Sequence, residues 1–191
     1  MYFETKSGTL ICDKTEILQN GVEMKLPINA PNLNFDDNNS KSIHELVKTV
    51  LKGSFEPKHV RLSPTTKKLL IRLPDGTTRD QLEALKIDKE SLLKIDTSDH
   101  VRGVIITING SGTKYDFISR YFAPWVEIPE DPVTGSAHTV LVPYWSEQLK
   151  KTKFFARQSS ARGGELGLEL KSDHILIQGQ GTIVFSGTLH L

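Results

Sequence analysis

The chain has 191 residues, of which 37% are hydrophobic and 25% are charged, and its formal net charge is +1. The length suits one domain or two small lobes, and a nearly neutral chain without a block of Lys or Arg argues against nucleic acid and membrane surfaces as partners. Cys12 is the single cysteine, which excludes an internal disulfide and indicates a reducing compartment. Because no signal peptide is visible and no apolar run approaches the roughly 20 residues of a membrane span, we predict a cytoplasmic protein.

The sequence pattern of the first 41 residues predicts strands followed by a linker. Short strands are indicated at Tyr2–Lys6 and Thr9–Cys12, and alternating apolar and polar side chains predict a third strand over Val22–Leu26. Residues 28–41 are rich in Asn, Pro, Asp and Ser, which is typical of a linker.

The next 60 residues mix helices and strands. Ser42, with Glu45 three residues later, matches a capping box, so we predict a helix that begins at Ser42 and ends near Gly53. Two strands and two short helical segments should follow, at His59–Leu62, Lys68–Leu73, from Thr78 and around Leu92.

The second half of the chain predicts strands around one apolar helix. Val101–Ile108 is nearly continuous in branched apolar residues, as a strand buried on both faces would be. The helix predicted over Ser136–Leu149 is apolar almost all round, which indicates burial. Further strands are predicted at Tyr115–Tyr121, Lys153–Arg157, Glu165–Leu170, His174–Ile177 and Thr182–Leu191. This order predicts an α+β fold.

The loop before this helix carries the best candidate site. Gly135 allows close backbone approach or a positive φ angle, and Ser136 is a candidate cap. The first N–H groups of a buried helix lack intrahelical partners, so they can bind a carboxylate, and Asp131 beside them can exchange a proton. The alternative is that the segment is only a well-capped helix behind a proline-rich loop.

Several ordered segments resemble the phenazine biosynthesis-like (PhzF-like) family. The strongest is the run Glu130-Asp131-Pro132-Val133-Thr134-Gly135-Ser136-Ala137-His138, which follows Ser119-Arg120-Tyr121-Phe122-Ala123-Pro124. The segments Arg157-Gln158 and Ser160–Leu166 resemble the family's next part, and Ile175–Leu189 resembles its closing strands.

The resemblance implies a diaminopimelate-epimerase-like fold, in which two lobes each wrap strands around a central helix and the active site lies between the lobes. Residues 1–26 would be remnant strands of the N-terminal lobe, residues 27–179 the complete C-terminal lobe, and residues 180–191 a strand that returns to the N-terminal lobe. It also implies isomerisation of a small carboxylate-bearing substrate by proton transfer, without metal or organic cofactor.

The resemblance further implies site residues. Asp131, Gly135 and Ser136 fall on the family's substrate-contacting positions, and we predict Asp131 to be catalytic and Gly135 and Ser136 to bind the substrate. Arg120 is a candidate to bind the substrate carboxylate, and a buried ion pair is the alternative for it.

The family's principal acid/base is a glutamate in the N-terminal lobe, and that lobe also supplies a Gly-His-Ala-Thr-like motif. Neither has a counterpart in this sequence. The resemblance therefore implies an isomerase-family protein in which the acid/base group expected opposite Asp131 has no counterpart, so that ordinary catalysis by this chain alone is in question. The alternative function is a non-catalytic interaction protein that forms a homo-oligomer through the exposed half-cleft. A third alternative is that the sequence is part of a longer coding region.

Other chemistries have weaker support. Ser136 and His138 lie two residues apart on a helix and do not face each other, which argues against a hydrolase. The six histidines show no metal-ligand spacing. The glycines of Arg162–Gly167 more often mark a sharp turn than a substrate contact, with Arg162 or Glu165 holding the turn in place.

Overall fold

A computed structural model describes residues 1–6, 8–15, 21–32, 37–182 and 184–188, with the backbone alone at residues 37–39. Ten strands are described: β1 Tyr2–Thr5, β2 Gly8–Thr15, β3 Gly21–Pro27, β4 His59–Ser63, β5 Lys68–Arg72, β6 Gly103–Asn109, β7 Phe117–Phe122, β8 Lys153–Gln158, β9 Gly164–Leu170 and β10 His174–Gln180. The α-helices of the same part of the chain are α1 Asp37–Leu51, α2 Arg79–Ala84, α3 Lys89–Leu93 and α4 Gly135–Leu149.

The ten strands form one mixed sheet in the order β1-β2-β3-β10-β9-β8-β7-β6-β5-β4. The β5–β6 and β7–β8 pairs are parallel, and the other neighbours are antiparallel. β3 pairs with β10 along its whole length, from Gly21 opposite Gln180 to Pro27 opposite His174. The division at residues 27 and 180 into lobe and remnant strands stays a prediction.

The centre of the sheet is buried on both faces. In β6, Val104, Ile106 and Ile108 pack with α1 on one face, while Ile105 packs with α4 on the other. The predicted two-sided burial of this strand is confirmed, because its first six residues are all buried. Helix α4 is also buried, as its sequence predicts, since Val140, Leu141, Tyr144 and Trp145 are all within 1% of complete burial.

Helix α1 begins earlier than the capping-box pattern predicts. It starts at Asp37, so Ser42 lies inside the helix, and residues 37–41 are helix instead of linker. The prediction failed because it relied on the spacing of apolar residues, which begins at Ile43, where the helix first meets the core. The polar residues at the start of the helix show no such apolar periodicity. The predicted C-terminal end is confirmed: α1 stops at Leu51, and Gly53 has a φ of +73°.

The two short helices follow their predictions closely. Thr78 caps α2 through a capping box, because its hydroxyl accepts from the Gln81 N–H and the Gln81 side chain accepts from the Thr78 N–H. Asp88 caps α3 in a similar way, by accepting from the Glu90 N–H.

The strand predicted over Thr182–Leu191 is wrong for the residues that can be described. Residues 182 and 184–188 form no strand and are exposed, whereas residues 183 and 189–191 lie outside the described part. Alternating apolar residues favour a strand only where a neighbouring strand supplies hydrogen bonds, and β10 already has β3 and β9 on its two sides. Across the described ranges, no helix combines the length and apolar character of a membrane-spanning segment.

Candidate active site

The loop from Asp131 leads directly into α4. Thr134, with φ −116° and ψ 103°, is the N-cap residue, and its side chain makes no capping hydrogen bond. The prediction that Ser136 caps the helix is therefore wrong: Ser136 is the second helical residue, and it is exposed. A cap must precede the helix with extended backbone angles, and the helix begins one residue earlier than predicted, at Gly135.

Neither of the two roles considered for Gly135, a close backbone approach or a positive φ, is found. Gly135 is not among the residues with left-handed φ, and a Cβ atom there would meet only the Leu26 side chain at an ordinary 3.5 Å. The positions where the structure requires glycine are instead those of the 163–164 turn. Gly163 has a φ of +68°, and a Cβ on Gly164 would lie 2.3 Å from Val133 Cγ2. The turn thus packs tightly against the loop that carries Asp131.

The 160–165 turn is structural, as the sequence indicated, and Glu165 holds it. The Glu165 carboxylate accepts a hydrogen bond from the Tyr115 hydroxyl and lies 2.9 Å from Lys114 Nζ. Ser160 Oγ donates to the Pro132 carbonyl at 2.8 Å, so the turn also binds the loop before α4. Arg162 is exposed.

Asp131 is held by three hydrogen bonds. Its N–H donates to the Tyr121 carbonyl at 3.0 Å, and its own carbonyl accepts from Gln158 Nε2 at 2.7 Å. The Thr134 hydroxyl donates to Oδ2 of the carboxylate. No hydrogen bond from the described part of the chain reaches Oδ1. This oxygen is therefore free to contact a ligand.

The first two amides of α4 are also free. Neither the Gly135 N–H nor the Ser136 N–H donates to any described residue, and the helix has no side-chain cap. The helix dipole adds partial positive charge at this point. The structure thus places an unoccupied carboxylate oxygen within a few residues of two unpaired amides, which suits a substrate that has both an acidic hydrogen and a carboxylate.

His138 is fully buried, and its ring Nδ1 lies 2.8 Å from the Thr134 carbonyl. A carbonyl oxygen only accepts, so Nδ1 carries the proton. Burial lowers the pKa of His138 to about 4, and the ring is neutral at physiological pH. Since Ser136 is exposed and His138 is buried, the two do not form a nucleophile and base pair.

Tyr121 lies on the α4 face of the sheet beside Lys68. A Cβ on Gly103 would lie 2.2 Å from the Tyr121 hydroxyl oxygen, so glycine at this position leaves room for the hydroxyl. Lys68 Nζ lies 5.6 Å from the Tyr121 ring centre. Burial, and then the negative charge of Asp131, raise the pKa of Tyr121 to about 12. The Tyr121 hydroxyl is thus a protonated neighbour of Asp131.

Arg120 forms the ion pair that was the alternative to substrate binding. Its Nε and Nη2 donate to the two carboxylate oxygens of Glu130 at 2.7 and 3.0 Å. Its Nη1 donates to the carbonyl oxygens of Leu82, Glu83 and Leu85. The guanidinium is buried and fully engaged, so it joins the end of α2 to the residue before Asp131. The substrate-binding role of Arg120 stays a prediction that these contacts do not support.

A concavity of about 570 Å³ lies at the end of β6. It is lined by residues 75–80, Ile108, Asn109, residues 111–113 and Ile118, so none of the predicted site residues lies in it. Of its ionic side chains, Asp75 pairs with Lys58 and Arg72 and Arg79 pairs with Glu83, whereas Asp80 forms no ion pair within 4 Å in the described part of the chain. The Asp131 loop remains the better candidate. Within the described ranges, no cluster of three His, Cys, Asp or Glu side chains is arranged to hold a metal ion.

Two polar residues of this site had no role in the sequence-based prediction. Thr134 lies in the quoted motif and contacts Asp131, and Gln158 is completely buried beneath both. Gln158 follows Arg157 in a segment that resembles the family, so a signal was present. The burial of this amide, which calls for polar partners, is visible only in the folded structure.

Comparison with known sequences places the whole chain in one group. Residues 1–187 match the family model of phenazine biosynthesis-like proteins. A phenazine biosynthesis-like domain-containing protein from Bos taurus is 44% identical over 192 residues, a match that covers 98% of this chain and 64% of that protein. A protein from Halalkalibacterium halodurans that is named an uncharacterised isomerase is 45% identical over 114 residues, which covers 60% of this chain and 42% of that protein. The chain spans just under two thirds of the length of the mammalian relative.

Solved structures of the PhzF family have the same fold. The protein from Enterococcus faecalis superimposes with a TM-score of 0.76 at 28% identity, and a putative phenazine biosynthesis protein from Clostridium difficile with 0.75 at 32% identity. Each match covers 100% of this chain and 65% of the other. The predicted α+β, diaminopimelate-epimerase-like fold is confirmed by this likeness.

Proposed function

Because the chain belongs to the phenazine biosynthesis-like protein family, we propose that it forms half of an isomerase site that moves a proton on a small carboxylate-bearing substrate without a cofactor. Bacterial relatives from Halalkalibacterium halodurans and Pseudomonas aeruginosa are named isomerases, which supports the reaction class. Asp131 is the proposed acid/base. Gly135 and Ser136 are the proposed carboxylate-binding residues.

The observation that carries this proposal is the free Oδ1 of Asp131 in the loop that leads into α4, whose first amides, at Gly135 and Ser136, have no partner among the described residues. When a carbon next to a carboxylate loses its proton, negative charge develops on the carboxylate oxygens. Amide donors fixed at a helix start stabilise this charge without reorganising. Asp131 Oδ1 would exchange the proton, and a second acid/base on the opposite side of the carbon would complete the isomerisation.

The test is incorporation of deuterium from heavy water into a panel of small carboxylates with an acidic or allylic carbon–hydrogen bond. The chain is assayed alone and together with the part of the bovine relative that the match does not cover, supplied as a separate polypeptide. We expect deuterium at the carbon beside the carboxylate in the combined sample, detected by mass spectrometry and NMR.

The matched control is Asp131→Asn, which keeps the size and polarity of the side chain and removes the base. We expect it to lower exchange by at least about 100-fold, the lower range of what a positioned acid/base contributes. Wild-type chain that exchanges no deuterium in either sample, or an Asp131→Asn variant as active as the wild type, would contradict the proposal.

The exposed apolar surface at the β1 edge favours a second candidate function, namely self-association. Tyr2 is 75% exposed and Phe3 48% exposed on the edge strand β1. An edge strand has unpaired backbone groups, and apolar side chains beside them favour pairing with another chain. We propose that two copies pair through this surface, with or without catalysis.

Light scattering over a concentration series tests this second function. We expect a dimer whose population falls when Tyr2 and Phe3 are replaced by Ser, while Ser136→Ala, at the exposed start of α4, leaves it unchanged. A monodisperse monomer at high concentration would overturn it.

A further inference from the structure

The side-chain amide of Gln158 has a fixed orientation. Its Oε1 lies 2.9 Å from the Thr134 backbone nitrogen, which can only donate, so this atom must be the acceptor. Its Nε2 then donates to the Asp131 carbonyl at 2.7 Å and to Thr134 Oγ1 at 3.1 Å. Gln158 is completely buried, and all three bonds are made to the two residues of the loop that matter for the site.

This orientation sets the direction of the Thr134 hydroxyl. Because Thr134 Oγ1 accepts a hydrogen bond from Gln158 Nε2, its own hydrogen points elsewhere. The acceptor within reach is Asp131 Oδ2. The polar chain therefore runs one way, from the Gln158 amide through the Thr134 hydroxyl to the carboxylate.

The backbone of Thr134 is fixed on both sides. Its N–H is held by Gln158, and its carbonyl accepts from the N–H groups of Ala137 and His138 and from the His138 ring. Thr134 is also buried, with 7% of its surface exposed. The hydroxyl that contacts Asp131 thus projects from one of the most restrained residues of the loop.

We infer that Gln158 and Thr134 are positioning residues, which occupy Oδ2 of Asp131 and leave Oδ1 as the oxygen that exchanges the proton. The inference rests on the proposed role of Asp131 as acid/base. It adds two points to that role: which carboxylate oxygen of Asp131 exchanges the proton, and which residues determine the choice. Neither positioning residue contacts the substrate in this arrangement.

The first test measures the Asp131 side chain directly and needs no substrate. Thr134→Val has nearly the shape of threonine and lacks the hydroxyl, whereas Thr134→Ser keeps the hydroxyl. We expect the Hα–Hβ scalar couplings of Asp131, measured by NMR, to report one rotamer in the wild type and in Thr134→Ser. In Thr134→Val the couplings should average between rotamers. Wild-type couplings in Thr134→Val would overturn the inference.

Gln158→Glu tests the direction of the chain of hydrogen bonds. In its ionised form the glutamate keeps the acceptor for the Thr134 N–H and has no donor, so at a pH at which residue 158 is ionised the Thr134 hydroxyl turns from Asp131 to residue 158. We expect averaged Asp131 couplings, as in Thr134→Val. Should this buried substitution prevent folding, the valine and serine pair decides the inference, and rigid Asp131 couplings in a folded Gln158→Glu variant would contradict it.

The second test uses the deuterium-exchange assay. We expect Thr134→Val to lower kcat by about 10- to 100-fold, the cost of a displaced reacting group, with KM changed by no more than about twofold, and Thr134→Ser to restore most of the rate. If Asp131→Asn abolishes exchange and Thr134→Val does not change it, the positioning role fails while the function stands. If the wild type exchanges nothing, the function fails, and the couplings still decide the positioning of Asp131.

Discussion

The two ends of helix α4 are built from different chemistry. At the C-terminal end, buried cations meet carboxylates and aromatic rings. The Arg61 guanidinium makes two hydrogen bonds of 2.6 and 3.0 Å to Glu147. Arg72 lies 4.3 Å from the Trp145 ring centre and bonds Asp75 at 2.6 Å. At this end, cations and the negative pole of the helix complement each other.

The N-terminal end contains a network of neutral groups around one carboxylate. Gln158, Thr134 and the neutral ring of His138 hold the loop, and no Lys or Arg of the described chain pairs with Asp131 within 4 Å. The amides of Gly135 and Ser136 have no partner among the residues that the structure describes. The contrast teaches that ion pairs mark one end of this helix, whereas a carboxylate without a cationic partner, next to a helix start without a side-chain cap, marks the end that can bind a ligand.

The largest expected effect is a difference in the free energy of unfolding between substitutions at the two ends of α4. Trp145 is buried, stacks on Phe117 and donates to the Thr107 hydroxyl at 3.1 Å, so Trp145→Ala should lower the free energy of unfolding by about 4 kcal/mol. Ser136→Ala at the exposed helix start should change it by less than about 0.5 kcal/mol. Chemical denaturation measures both. An equal loss of unfolding free energy in the two variants would contradict the proposed difference between the two ends.

The next effect depends on pH. Burial lowers the pKa of His138 to about 4, below the value of about 6.5 in the unfolded chain. The unfolded state therefore binds a proton first, so stability should fall as the pH drops from about 6.5 to 4, by about 3 kcal/mol in total. Denaturation at a series of pH values should show this slope in the wild type. In His138→Asn the slope should be smaller, and an unchanged slope would contradict the assignment.

A smaller effect concerns a cation without a carboxylate partner. Lys68 is 8% exposed, its one recorded hydrogen bond is a 3.4 Å contact to the Thr66 carbonyl, and burial lowers its pKa. The charged form is disfavoured by folding, so the penalty is full at neutral pH and disappears as the pH rises toward about 10.5. Lys68→Met should raise the free energy of unfolding by about 1 kcal/mol at pH 7. A loss of stability at pH 7 would show that Lys68 is compensated.

The smallest effect is expected at the surface ion pair of the C-terminal end. Arg61 is buried while Glu147 is 53% exposed, so solvent screens their attraction. Glu147→Gln should lower the free energy of unfolding by less than about 1 kcal/mol, and the loss should shrink in high salt. A double-mutant cycle with Arg61→Met isolates the pair. A coupling energy that does not depend on salt would argue that the pair is shielded from water.

Apolar periodicity predicted most of the fold. The buried strand β6, the buried helix α4 and the end of α1 near Gly53 follow from patterns that burial itself imposes. The start of α1 and the absence of a strand in residues 182 and 184–188 did not follow, because a polar helix turn has no apolar period and a strand needs a partner. Local sequence carries little information on either condition.

The candidate site was predicted less completely than the fold. Asp131 and the helix start were found from the motif, but the cap was placed at Ser136 although Thr134 occupies that position. Gln158 was missed because its contacts with Asp131 and Thr134 span 27 and 24 residues of sequence. Only the folded chain brings the end of β8 under the loop. The network depends on the pairing of β7 with β8, which a single sequence does not show.

The pairing of β3 with β10 has a consequence for synthesis of the protein. Glu23 accepts a hydrogen bond from Gln178, 155 residues further along the chain. While the ribosome is still making the chain, β3 therefore has no partner on that side and must wait until β10 has emerged. Contacts of such separation form slowly, and an unpaired strand is prone to pair with other chains in the meantime. We expect the yield of native protein to depend on the rate of translation and on chaperones that cover this early segment.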